Sequence, residues 1–105
     1  MTISEYQKEI DDFLQNYETP YWSVHENFAR LVEEVGELAR IINCEYGPKN
    51  KKPGEDHSTM GEEMADIMFS LICIANKEGI DLDNEMKKVI HKVKTRDKDR
   101  FPKKK

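Results

Sequence analysis

Apolar residues recur along most of the chain at intervals of three and four, the spacing of a helix face, with no strand-like alternation. Ile3, Tyr6, Ile10, Phe13, Leu14 and Tyr17 predict a first helix over about 3–16. It is entered through a capping box at Thr2–Glu5 or Ser4–Gln7 and broken at Thr19-Pro20. Ser23-Val-His-Glu26 opens a second helix, about 24–46, whose core stripe is Phe28, Leu31, Val32, Val35, Leu38, Ala39 and Ile42. Gly47-Pro48 ends it. Ser58 or Thr59 caps a third, about 60–78, closed by Gly79. Asp81 or Asp83 caps a fourth, about 84–98, with the narrow stripe Met86, Val89, Ile90 and Val93. The fold class is all-α, a four-helix arrangement.

The third helix changes the picture. Beyond Asp66 it reads Ile67, Met68, Phe69, Leu71, Ile72, Cys73, Ile74, Ala75, apolar on almost every face. Such a helix needs cover on all sides, and a chain of 105 residues has too few helices to supply it. A homodimer or homotetramer with this helix at its centre is expected. The chain reads as one domain over 1–105, with an N-terminal helical segment 1–20, a basic loop 47–58 and a basic tail 99–105.

Charge narrows the partners. Seventeen basic residues against twenty-one acidic ones, net −4, argue against a general nucleic-acid binder. The acids gather mid-chain. The bases gather in the loop (Lys49, Lys51, Lys52) and on the fourth helix (Lys94, Arg96, Arg100), which suits a small phosphate ligand held through metal and lysine. No apolar run is long enough to span a bilayer and no leader pattern opens the chain. Cys44 and Cys73 stand apart, without metal or redox spacing, and read as buried reduced thiols of a cytoplasmic protein.

The candidate chemistry lies in two acidic stretches, LVEEVGELAR (Leu31–Arg40) and MGEEMADIMFSLICIA (Met60–Ala75). Glu34 and Glu37 are spaced i, i+3, and so are Glu63 and Asp66, which puts each pair on one helix face. At about 100° per residue, Glu34 and Glu37 lie about 100° and 160° from a stripe centred on Val35. Glu63 and Asp66 lie about 80° and 140°, with the same hand, from one centred on Met64 and Leu71. Antiparallel packing then lets both acidic strips flank one groove. Four like charges beside a core repel one another unless a cation joins them. Mg²⁺, with Mn²⁺ as an alternative, takes oxygen ligands, keeps several waters and is completed by substrate phosphate. A di-iron site is excluded, because it needs Glu-x-x-His on two helices and His25, His57 and His91 lack that spacing.

Glu33-Glu34-Val-Gly-Glu37 followed by Glu63-Met-Ala-Asp66 resembles the EExxE…ExxD signature of MazG-like nucleotide pyrophosphohydrolases, in their short single-domain form. The resemblance runs from about Asn27 to the Gly79–Leu82 segment and the basic end of the fourth helix. It implies an all-α, oligomeric, Mg²⁺-dependent enzyme that cleaves NTP or dNTP to the monophosphate and pyrophosphate, as in nucleotide-pool housecleaning. It makes Glu34, Glu37, Glu63 and Asp66 metal ligands and Glu33 an auxiliary catalytic carboxylate. Related activity on phosphoribosyl-ATP, or a non-catalytic nucleotide-binding helical oligomer, are the alternatives. Candidate substrate contacts are Trp22, which could stack on a base, Asn76 for sugar or base, and Lys49, Lys52, Lys94 and Arg96 for phosphate.

Overall fold

The computed structural model describes residues 1–47 and 58–104. Lys49, Lys51, Lys52 and His57 lie outside the described residues, as does nearly all of the loop expected over 47–58. Four helices make up the regular structure of the rest: α1 (Ile3–Leu14), α2 (Val24–Glu45), α3 (Met60–Glu78) and α4 (Leu82–Arg96). No strand occurs among the described residues, and the fold is all-α. None of these helices is long and apolar enough to cross a membrane.

Local chemistry sets the helix ends. Thr2 and Ser23 each close a reciprocal capping box, with Glu5 and Glu26. Thr59, not Ser58, caps α3 by accepting from the Glu62 amide at 3.0 Å. Gly79 ends α3 at φ 71°, a left-handed turn that glycine adopts without steric cost. α1 stops at Leu14, two residues early, where the Asn16 side chain donates through Nδ2 to the Asp12 and Phe13 carbonyls at 3.4 and 3.0 Å. α4 starts at Leu82, two residues early, because the Asp81 carboxylate takes the amides of Asp83 and Asn84.

α2 and α3 form the main contact and run antiparallel. Glu34 meets Glu63 and Asp66, while Arg30, one turn earlier on α2, meets Phe69, one turn later on α3. The face α2 turns inward is not the expected one. Asn27 and Ile41 are buried, and Arg30, Leu31, Glu34 and Leu38 are half-buried. The stripe Phe28–Val32–Val35–Ile42 is exposed, Phe28 at 56% and Val35 at 47%. α3 is turned in the same sense: Ser70, Ile72, Cys73 and Ala75 are buried, while Met64, Met68 and Leu71 are exposed. Within one chain, α3 is therefore not enclosed on every side. Each helix has two usable faces, and the intrachain contact takes the more polar one. Cys44 is half-buried rather than buried, and Cys73 is buried.

Polar bonds, more than apolar burial, seat α1. Gln7 is buried; its Nε2 donates to Asn76 Oδ1 (3.0 Å) and the Ile80 carbonyl (2.8 Å), and its Oε1 accepts from the Leu82 amide (2.9 Å). Asn76 Nδ2 donates to the Gln7 carbonyl and to the Tyr21 hydroxyl, both at 3.0 Å. Tyr21 in turn donates to Asp11 at 2.5 Å. Burial and that carboxylate push the Tyr21 phenol up to about 12. At the other end of α1, Asp83 accepts from the amides of Ile3 and Ser4 at 3.2 and 3.0 Å, and Ser4 Oγ donates to Asp81 at 2.7 Å. Two aspartates thus serve the unpaired N–H groups at the starts of two helices.

The Ser4 amide, first among its hydrogen bonds, holds the Asp83 carboxyl below its ordinary 3.8. A lowered carboxyl contributes stability above the unfolded value and loses it as pH falls through the folded one. Asp83→Asn should lower the thermal midpoint by a few degrees at neutral pH, and the gap to wild type should close below about pH 3.8. Thermal melts across that range by circular dichroism check this; an unchanged neutral midpoint would mean that Asp83 does not hold α1 in place.

Candidate metal centre

Asn27, Arg30 and Glu34 share one face of α2 at i, i+3 and i+7. Opposite them on α3, Glu63, Asp66, Ser70 and Cys73 lie at i, i+3, i+7 and i+10. Antiparallel packing brings the acidic end of one face onto the acidic end of the other. Glu34, Glu63 and Asp66 each offer a carboxylate oxygen, all within 4.8 Å of one another. Glu63 is 6% exposed, Glu34 half-buried and Asp66 exposed, so the group opens from the helix interface toward solvent.

Buried Glu63 and half-buried Glu34 have unequal partners. Glu63 Oε1 accepts from the hydroxyl of Ser58, just ahead of α3. That hydrogen bond, and then one shared with Glu34, hold the Glu63 carboxyl below its ordinary range. Glu34 is pushed up, first by the hydrogen bond to Glu63, then by burial and by the charges of Glu63 and Asp66, with Arg30 opposing. Among the described residues Glu63 Oε2 is buried with no hydrogen-bond partner, a costly condition for a charged oxygen. An all-oxygen donor set with an unmet buried lone pair fits a hard divalent cation.

The remaining expected residues separate. Glu37, one turn beyond Glu34, is exposed and outside the group of three. Glu33 is exposed on another face of α2. Trp22 is half-exposed, with the Arg30 guanidinium 5.6 Å from its ring centroid. Asn76 is committed to Gln7 and Tyr21, so its polar atoms serve the α1 attachment. Lys94 stands on α4 with Lys87 and His91 beside an open depression, and Arg96 is bound to Asp97 at 3.0 Å. Neither Lys94 nor Arg96 belongs to the carboxylate group. Sequence reasoning missed Ser58 as the partner of Glu63 and missed Asn27 and Arg30. The helical spacing of Asn27 and Arg30 to Glu34 was the available signal.

The family model for the MazG nucleotide pyrophosphohydrolase domain matches residues 23–101, a span that contains every member of this group. The chain belongs to the MazG nucleotide pyrophosphohydrolase family. It is 44% identical over 103 residues to the uncharacterized protein YpjD of Bacillus subtilis (strain 168), covering 98% of this chain and 93% of that one. It is 30% identical over 97 residues to YvdC of the same organism, covering 83% and 88%. The crystal structure of YPJD from Bacillus subtilis superposes with a TM-score of 0.80 at 41% identity, covering 90% of this chain and 97% of that one. The Bacillus-conserved MazG protein, a nucleotide pyrophosphohydrolase, superposes with a TM-score of 0.77 at 38% identity, covering 94% and 96%. This MazG chain is accordingly a hydrolase acting on nucleotides, in a metal-dependent family.

A raised carboxyl favours the folded state while protonated, and that advantage is lost as pH rises through its folded value. Ionised Glu34 should therefore strain the metal-free protein at neutral pH. Glu34→Gln removes the charge with little change of volume and should raise the metal-free thermal midpoint at pH 7–8. The gain should shrink as pH falls toward the ordinary 4.5 of a glutamate. Adding Mg²⁺ should raise the wild-type midpoint and that of the variant much less; equal shifts would place the cation elsewhere.

Proposed function

We propose that this MazG chain is a Mg²⁺-dependent nucleoside triphosphate pyrophosphohydrolase, releasing pyrophosphate from an NTP or dNTP and leaving the monophosphate. The observation that carries the reading is the convergence of Glu34, Glu63 and Asp66 within 4.8 Å, with one Glu63 oxygen buried and unpartnered among the described residues. Those three residues would hold the cation, with Mn²⁺ a substitute. Glu37 would join from the same helix with substrate present. A bound divalent cation supplies charge neutralisation of the phosphoanhydride and a more acidic water. The protein's part is placement: two rigid helices fix the carboxylates, and Ser58 orients the Glu63 carboxylate by donating to Oε1. Glu33, facing solvent, is assigned the auxiliary carboxylate role.

A pyrophosphate-release screen over the common NTPs and dNTPs with Mg²⁺ tests this directly. Asp66→Asn should cost about a hundredfold or more in kcat, on the scale of losing an electrostatic contact to the transition state. Exposed Glu62→Gln on the same helix should leave turnover near wild type. Wild-type rates in Asp66→Asn would remove these residues from the reaction.

We further propose that the chain assembles as a homodimer or homotetramer. The uncovered side chains form continuous rows: Phe28, Val32, Val35 and Ile42 on α2, Met64, Met68 and Leu71 on α3, Met86, Val89, Ile90 and Val93 on α4. Fully burying one such side chain is worth about 1.5–3 kcal/mol, so covering several rivals the roughly 5–15 kcal/mol net stability of a domain. Val32→Glu adds a charge to a site already exposed in one chain, so it should spare the helices and dissociate the assembly. Light scattering reads the result, and a folded wild-type monomer at micromolar concentration would refute the assembly.

A further inference from the structure

Arg30 stands one turn ahead of Glu34 on α2, about 6 Å along the helix axis and on the same face. An arginine and a glutamate at that spacing are within reach of an ion pair, yet none forms. Among the described residues the Arg30 guanidinium makes no hydrogen bond and no ion pair. It lies instead between two rings, 5.6 Å from the Trp22 centroid and 5.4 Å from that of Phe69. Trp22 belongs to the link ahead of α2 and Phe69 to α3, so three parts of the chain fix where this charge sits.

A competition explains the arrangement. With the basic residue N-terminal to the acidic one, the helical pair is in its weaker order, because the helix dipole opposes it. The attraction of a guanidinium to a ring face grows as the contact loses water, and Arg30 is half-buried. Two ring contacts outweigh one pair of the weaker order. The charge is still felt at the carboxylates, where it opposes the upward push on Glu34. Lys94 and Arg96, by contrast, stand apart from the group.

We propose that Arg30 is a resident counter-charge for Glu34, Glu63 and Asp66, kept off their oxygens by Trp22 and Phe69, and that it sets how tightly the site holds a divalent cation. The proposal rests on the metal-centre reading for which residues the cation meets. In the metal-free protein the guanidinium eases the repulsion among three carboxylates within 4.8 Å of one another. Once a cation enters, the same charge opposes it. The carboxylates by themselves then hold the ion loosely. Firm binding waits for phosphate oxygens, which bring further ligands and further negative charge. A guanidinium released from the rings would swing onto Glu34 and occupy the oxygens that the cation needs. Arg30 acts here through its field and through where the rings hold it, as a positioning residue and not a catalytic one.

The test uses the metal alone. Mn²⁺ is titrated into the full chain at low ionic strength without nucleotide, and free Mn²⁺ is read by its electron paramagnetic resonance signal. Arg30→Gln should bind Mn²⁺ about threefold or more tighter than wild type. Its metal-free thermal midpoint should fall, and both effects should shrink at high salt. Arg30→Lys keeps the charge but stacks less well on the rings, so its ammonium reaches Glu34 and Mn²⁺ binding should weaken. Trp22→Leu should weaken it in the same way, and should change nothing for Mn²⁺ once Arg30 is already glutamine. Asp66→Asn reports whether the ion sits at the carboxylates, and should lose most of the affinity. Equal affinity in wild type and Arg30→Gln, with Asp66→Asn impaired, would overturn the role of Arg30 and leave the metal centre. Weaker binding in Arg30→Gln would overturn it too, marking Arg30 as a staple of the α2–α3 contact. Equal affinity in wild type and Asp66→Asn would sink the metal centre and this proposal with it.

Discussion

Mutual repulsion of carboxylates across the α2–α3 contact is the constraint on which the rest of the structure depends. Helices normally bury their most apolar stripe. Here the intrachain contact instead joins the faces that carry Glu34 and Glu63, and leaves Phe28, Val32, Val35, Met64 and Met68 uncovered. Hydrophobic burial within one chain does not account for that choice. A cation between the carboxylates would turn the repulsion into attraction, and association of copies would bury the rows left outside. On the proposed reading, metal binding and assembly would be two parts of one stabilising scheme.

α1 belongs to the same scheme. It lies wholly outside the stretch matched by the family model and is fixed by hydrogen bonds that involve Gln7, Asn76, Tyr21 and Asp83. Polar attachment of this kind adds modest net stability but strict geometry, since each donor has one acceptor in reach. It sets the Pro20–Trp22 link against Arg30 and Phe69, beside the carboxylate end of the groove. The basic end of the chain behaves differently. Asp97 pairs with Arg96, and Asp99 with Lys103 at 3.0 Å, so much of the charge there is neutralised locally.

Helix number, order and type were legible in the sequence, because they follow from three- and four-residue spacing and from capping side chains next to the backbone groups they serve. Thr2, Ser23, Gly79 and Asp81 act where the pattern placed them. The two acidic motifs, and the resemblance they carry, were legible for the same reason: i, i+3 spacing on a helix fixes a shared face without reference to any other part of the chain. Glu34, Glu63 and Asp66 follow from that logic.

The tertiary structure alone decided which face of each helix turns inward. A helix with two apolar or mixed faces can pack on either, and rotation about its axis costs nothing in local geometry, so periodicity cannot choose. That rotation separates Glu37 and Glu33 from the group of three and brings Asn27 and Arg30 to its edge. It also draws Asn76, sixty-nine positions from Gln7, into the attachment of α1. The Gln7–Asn76 pairing joins distant parts of the chain through a directional bond, whose partners are set by packing rather than by spacing.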